Sequence, residues 1–177
     1  MAQPGGLFTR SKARADFSNE RIEYLQKSVN DIDDLGNDPN NVYSINPTQG
    51  GYHYVHLGKD GTILIDASTT GFALYEIRHV GQSLSAGGLH FNKEGLLINA
   101  DNYITSIREK YERMSNNEVE AYRVQHAYDE SFYLPINSLN DIDIHSVGNM
   151  KDESGKYIYY YIHSLSEENK RIEQFSR

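Results

Sequence analysis

The side chains best placed to do chemistry together are Tyr75, Glu76 and His79, in the segment Leu74-Tyr75-Glu76-Ile77-Arg78-His79-Val80-Gly81-Gln82. On a helix, residues three and four apart share a face, so Glu76 and His79 project to the same side. The segment differs at one position from H-E-x-x-H. In that motif two His four residues apart bind Zn²⁺, and the Glu beside the first acts as general base on the metal-bound water. Glu76 stands in the base position and His79 in the second-ligand position, while Tyr75 holds the place of the first His. Tyr75 reads either as a packing and hydrogen-bonding side chain or as a zinc-bound phenolate, because a metal eases deprotonation of a group it coordinates.

A further ligand in such sites usually comes from a later helix. Asn117-Glu118-Val119-Glu120-Ala121-Tyr122 offers two carboxylates, 39 and 41 residues after His79. Glu118 has a second reading, since Ser115-Asn116-Asn117-Glu118 has the form of a capping box, in which the Glu reaches back to the N-cap amide. Glu120 escapes that objection and reads either as a ligand or as a solvated residue. The remaining histidines add less. His53 and His56 are three apart on an expected strand and therefore on opposite faces. His90 is an alternative replacement ligand, and His126, His145 and His163 are isolated. Asp141 and Asp143 share a face if their segment is a strand, which alone is a weak glycosidase signal. There is no phosphate-binding glycine loop and no G-x-S-x-G elbow.

The elements that must position these groups can be read from periodicity and turn chemistry. Residues 1–16 read as a flexible tail and 17–177 as a single domain. Ile22, Leu25, Val29 and Ile32 recur at helix spacing from Phe17, with Ser18 as a cap and Gly36 as a stop. Residues 37–51 are turn chemistry, and Tyr52–Leu57 with Thr62–Asp66 form a hairpin around Gly58–Gly61. Ala73, Ile77, Val80 and Leu84 make a buried stripe on a helix that starts near Gly71 and ends at Gly87–Gly88. A second hairpin is expected around Asn92–Gly95. A third helix is expected from Asp101 through Ile104, Ile107 and Tyr111, then a break at Ser115–Asn117 and a fourth helix from Glu118 to Tyr128. Beyond Pro135, Ile142–Val147 and Tyr157–Ile162 read as a last hairpin, followed by a short polar helix from Ser166. This order predicts an α+β fold with a small antiparallel or mixed sheet packed on the helices that carry the site.

Composition narrows the classes of function. The chain has 177 residues, and Leu, Ile, Val and Phe make up 41 of them. That share is about 23%, enough for one modest core supplemented by tyrosine. The net charge of −8 is opposite to what gripping a phosphate backbone requires, so no nucleic-acid partner is expected. The absence of Cys excludes disulfide scaffolds, thiolate metal sites and Cys nucleophiles. No apolar run suggests a membrane span, and the N-terminus lacks the apolar segment of a signal peptide.

Residues 17–130 resemble the zincin-like metallopeptidase domains at the C-terminal ends of bacterial Rhs and other polymorphic toxins and effectors. The likeness is carried by the leading helix, the strand Gly61-Thr62-Ile63-Leu64-Ile65-Asp66, the segment Glu76-Ile77-Arg78-His79-Val80-Gly81-Gln82, and Glu118-Val119-Glu120-Ala121-Tyr122-Arg123-Val124-Gln125. It implies a zincin-like fold, bound zinc and peptide hydrolysis by metal-activated water. Glu76 and Tyr75 would then sit at catalytic positions, with His79 and Glu118 or Glu120 as metal ligands. It also implies a protein or peptide substrate, a cognate immunity protein, and export by a specialised bacterial secretion system. Tyr75 departs from the family pattern at a metal-ligand position. The alternative expectation is therefore a catalytically inactive member of the same fold that acts as a protein-binding module. An interaction protein of immunity type is a third reading, supported by the acidic charge and the 14 Tyr.

Overall fold

The computed structural model describes residues 5–98, 106–129 and 136–175. The chain runs α1 (Gly5–Asn37), β1 (Tyr43–Pro47), β2 (Tyr54–Leu57), β3 (Ile63–Ala67), α2 (Thr70–Ser85), β4 (His90–Phe91) and β5 (Leu97–Ile98). It continues through α3 (Ile107–Tyr128), a 3-10 turn at Leu139–Asp141, α4 (Ile144–Gly148) and α5 (Tyr160–Phe175). This is the expected α+β class. The main sheet is mixed, in the order β1-β3-β2, with β1 parallel and β2 antiparallel to β3. A separate two-stranded hairpin, β4-β5, pairs with β2 at His56 through Leu96. No helix among the described residues is long and apolar enough to cross a membrane.

Helix α2 is the centre of the molecule, packed against α1, α3 and β3. Thr69 caps its start by accepting a hydrogen bond from the Phe72 amide at 3.3 Å. Gly87 and Gly88, at φ 114° and 118°, turn the chain back so that the Gly88 amide reaches the Ser83 carbonyl at 3.0 Å. Of the expected stripe, Ala73, Ile77 and Val80 are buried and Leu84 is partly buried; Ile63, Ile65, Val119 and Val124 join them in the core. Burial extends beyond that stripe to Tyr75, Glu76 and His79, because α3 covers the opposite flank.

Several expectations are corrected. Helix α1 begins at Gly5, so much of the stretch read as a flexible tail is helical. Leu7, Arg10, Lys12, Ala13, Arg14 and Ala15 in that stretch all have high helix propensity. Of the four residues whose spacing marks α1, Leu25 packs against the core, whereas Ile22 is 65% exposed and Val29 and Ile32 are also exposed. Tyr24, Ser28, Asp31 and Leu35 are the buried face instead. Strand β1 lies inside the segment read as turns. It is an edge strand, where Pro47 can end the ladder without an unmade hydrogen bond.

Helix α3 passes unbroken through Ser115–Asn117, with the Ser115 hydroxyl bonded to the Tyr111 carbonyl at 2.7 Å. Ser and Asn cost only a few tenths of a kcal/mol in a helix interior, less than the packing of Val119, Tyr122 and Val124 returns. The capping-box reading of Glu118 falls with the break. The expected earlier start at Asp101, with Ile104, lies outside the described residues. The last hairpin is also absent among them: Asp143 caps α4 by accepting from the His145 and Ser146 amides, and α5 starts at Tyr160. A single bridge, Lys151 to Tyr157, is all the pairing found there.

Polar contacts lock α2 to both neighbouring helices on the side away from the cleft. The Arg78 guanidinium grips Asp31 of α1 at 2.7 and 2.9 Å and Glu120 of α3 at 3.0 Å, and Lys27 reaches Glu120 at 3.2 Å. Gly81 makes this approach possible, since a Cβ there would lie 2.2 Å from the Asp31 carboxylate. Gly81→Ala should therefore lower the unfolding free energy by about 2–4 kcal/mol, by displacing a buried ion pair, as read from urea denaturation. A variant as stable as the native chain would show that Asp31 is free to move aside.

Candidate functional site

Three elements bring the site together. Helix α2 supplies Tyr75, Glu76 and His79, and α3 supplies Glu118, Tyr122 and Gln125 at i, i+4 and i+7. Tyr159, just before α5, closes the third side. The Tyr75 hydroxyl donates to Glu118 Oε2 and lies 2.9 Å from the Tyr159 hydroxyl, which is itself 2.9 Å from that of Tyr122. His79 Nε2 faces the same Glu118 oxygen at 3.6 Å. The ring of Tyr75 meets those of His79 and Tyr122 at centroid distances of 4.7 and 4.9 Å.

Gln82 orients the imidazole. Its amide nitrogen donates to the Asn117 carbonyl at 3.1 Å, so its oxygen is the atom 3.0 Å from His79 Nδ1. An oxygen there requires a hydrogen on Nδ1 and turns Nε2 toward Glu118.

Electrostatics favours the charged forms of both Glu118 and His79. Burial pulls His79 down, but the Glu118 carboxylate beside it more than offsets that, leaving its pKa above the ordinary value. Burial likewise pushes Glu118 up, yet His79 and the hydroxyls of Tyr75 and Tyr159 bring it below the usual carboxylate range. Tyr75 keeps its proton: burial, then the Glu118 charge, hold its pKa well above that of a free phenol. Glu76 differs from all of these. It is 7% exposed and makes no hydrogen bond or ion pair among the described residues. Burial, followed by the opposing pull of His79 and the push of Glu118 and Asp66, raises its pKa to about 7.

These groups form the floor of a cavity of about 420 Å³. Its walls include Tyr52, Phe72 and Leu97, with Tyr52 90% exposed at the rim. The structure thus brings together Tyr75, Glu76, His79 and Glu118. It does not bring Glu120, which a step of two residues carries about 200° around α3 and which is engaged by Arg78 and Lys27. His90 does not line the cavity. His56 faces Asp66 at 3.4 Å, His145 contacts Ser166, and His163 stacks on Tyr157. Asp141 and Asp143 serve as capping residues. Sequence reasoning missed Tyr122 and Gln125, although both continue the helical spacing from Glu118. It also missed Tyr159, which carried no signal while its segment read as a strand.

The donor set does not suit zinc. Catalytic zinc takes three protein ligands and an open position, whereas no group of three His, Asp or Glu among the described residues could hold a metal ion. Of the expected ligands, His79 and Glu118 are paired with each other. Tyr75 acts as a proton donor to Glu118, which is the reverse of a ligand's role. No family model, curated protein or solved structure matches this chain.

Two stability measurements check this description. Tyr75→Phe removes one donor from a buried carboxylate and should cost about 1–3 kcal/mol at neutral pH; no loss in urea denaturation would deny the contact. For Glu76, a raised folded pKa means the native state binds more protons than the unfolded chain between the model-peptide value of 4.5 and about 7. Its contribution is fully present below that window and is lost as pH rises through it. Glu76→Gln should therefore gain about 2–3 kcal/mol over the native chain near pH 8 relative to pH 4. A pH-independent difference would refute the raised pKa.

Proposed function

We propose that this domain is a polypeptide-binding module on a zincin-like frame, with its former metal position closed by Tyr75. The carrying observation is the hydrogen bond from the Tyr75 hydroxyl to Glu118, which ties up the carboxylate that the family resemblance makes a ligand. Glu76 and His79 keep their places on α2, which supports descent from a peptidase frame. The third-ligand position has become part of a phenol and carboxylate network. The resemblance to effector domains supports a partner drawn from a bacterial effector system, of which an immunity protein is one.

The cleft suits a polypeptide. Its volume of about 420 Å³ is in the range of ligand sites, and its lining mixes aromatic rings and aliphatic side chains with hydroxyl, imidazole, amide and carboxyl groups. Strand β2 is an edge of the main sheet; the β4-β5 hairpin meets it at His56 and Leu57, and its first half borders the cavity at Tyr54 and Val55, where an extended segment could add.

The test has two arms. After equilibration with zinc and desalting, elemental analysis should find the native domain substoichiometric in metal and inert toward an unfolded protein substrate. Tyr75→His should hold zinc stoichiometrically. Stoichiometric zinc in the native chain, lost in His79→Ala, would overturn the closed site; a Tyr75→His variant without zinc would overturn the zincin-like frame. In the second arm, peptides selected by display on the native domain should shift the nuclear magnetic resonance signals of Tyr52, Phe72 and Tyr122. Failure to select any peptide that does so would overturn the binding role.

A further inference from the structure

We infer that Glu76 is the counter-ion for a basic side chain, a guanidinium or ammonium group, presented to the cleft by the bound polypeptide. The inference rests on the peptide-binding reading above and names the chemistry of the partner.

It starts from what is left over. Every carboxylate near the cavity other than Glu76 already has a partner. Glu118 has His79 and Tyr75, and Asp66 has Asn46 at 2.6 Å and His56 at 3.4 Å. Glu76 is 7% exposed, lines the cavity, and has none among the described residues. A buried carboxyl without a partner costs free energy that a cation or hydrogen-bond donor entering the cavity would recover. Gln125 repeats the pattern. It is 3% exposed, lines the same cavity, and its side-chain oxygen is buried without a partner. Two unmet acceptors in one cleft call for a ligand rich in N–H donors.

Charge selects among such ligands. Around Glu76 the imidazole of His79 attracts while Glu118 and Asp66 repel, so two acids stand against one base. No Lys or Arg lines the cavity, and burial holds the His53 imidazole in its wall below the ordinary pKa, which favours its neutral form. The rings of Tyr52, Tyr54 and Phe72 along the wall offer π faces, to which a cation is attracted. Guanidinium matches best, because its planar fork can serve a carboxylate and an amide oxygen together. The net charge of −8 would also steer a basic partner toward the surface.

The experiment titrates isotope-labelled native domain with blocked pentapeptides of Ala carrying Arg, citrulline or Glu at the centre. Resonances of Tyr52, Phe72 and Tyr122 report entry into the cleft. Citrulline keeps the shape and amide donors of Arg without the charge. The Arg peptide should bind about tenfold tighter than the citrulline peptide, and the Glu peptide weakest. Glu76→Gln, checked for folding by thermal denaturation, should bring the Arg peptide down to the citrulline level. Equal binding of Arg and citrulline peptides within the cleft, or an Arg preference that survives in Glu76→Gln, overturns the inference and leaves the peptide-binding reading standing. Entry by none of the three peptides overturns that reading and the inference with it.

Discussion

A carboxylate buried between two helices must be met by donors, and Glu118 is met by three. The hydroxyl of Tyr75, the imidazole of His79 and the region of Tyr159 converge on it from α2 and from the turn before α5. Hydrogen bonds to a buried charge each contribute about 1.5–3 kcal/mol, and leaving the charge unmet costs at least as much. Satisfying that one side chain ties α2, α3 and the turn before α5 to one another. The cleft is the space left above that arrangement.

Helix α2 can hold this network only because its other side is fixed as well. Arg78 is three residues from Tyr75 and one from His79, yet it points toward α1 and α3, where Asp31 and Glu120 receive it. The absence of a side chain at Gly81 lets Asp31 come close enough. The helix is thus polar on two flanks and apolar on the stripe between them. Each polar flank is internally neutralised except at Glu76. The exception lies at the cavity, where an unmet group is of use.

That difference between paired and unpaired acids separates the two functional readings. A working metal site leaves its donors facing an open position, whereas His79 and Glu118 face each other and Tyr75 protects the pair with a retained proton. What remains available to a ligand is Glu76, the amide of Gln125 and the aromatic wall. These groups all line the one cavity over α2 and α3.

The local elements with strong punctuation were legible in the chain itself. The hairpin around Gly58–Gly61, the stripe of α2 ended by Gly87–Gly88, and the short hairpin at Asn92–Gly95 all formed as their glycines and periodicity implied. So was the shared face of Glu76 and His79, since helix geometry alone decides it. Segments without Gly or Pro were misread wherever local preference was weak: Ser115–Asn117 stayed helical under the packing of α3, and Ile142–Val147 was buried through a capped turn and short helix. Which face of α1 is buried was likewise decided by Asp31 and Gly81, not by its most apolar stripe. The partner of Tyr75 could not be read at all, because Glu118 is 43 residues away and Tyr159 is 84. Sequence determined which residues share a helix face. Only the packing of three separate elements decided that the Tyr75 hydroxyl would donate to Glu118 and meet Tyr159, since hydrogen bonds over such separations exist only once the core has formed.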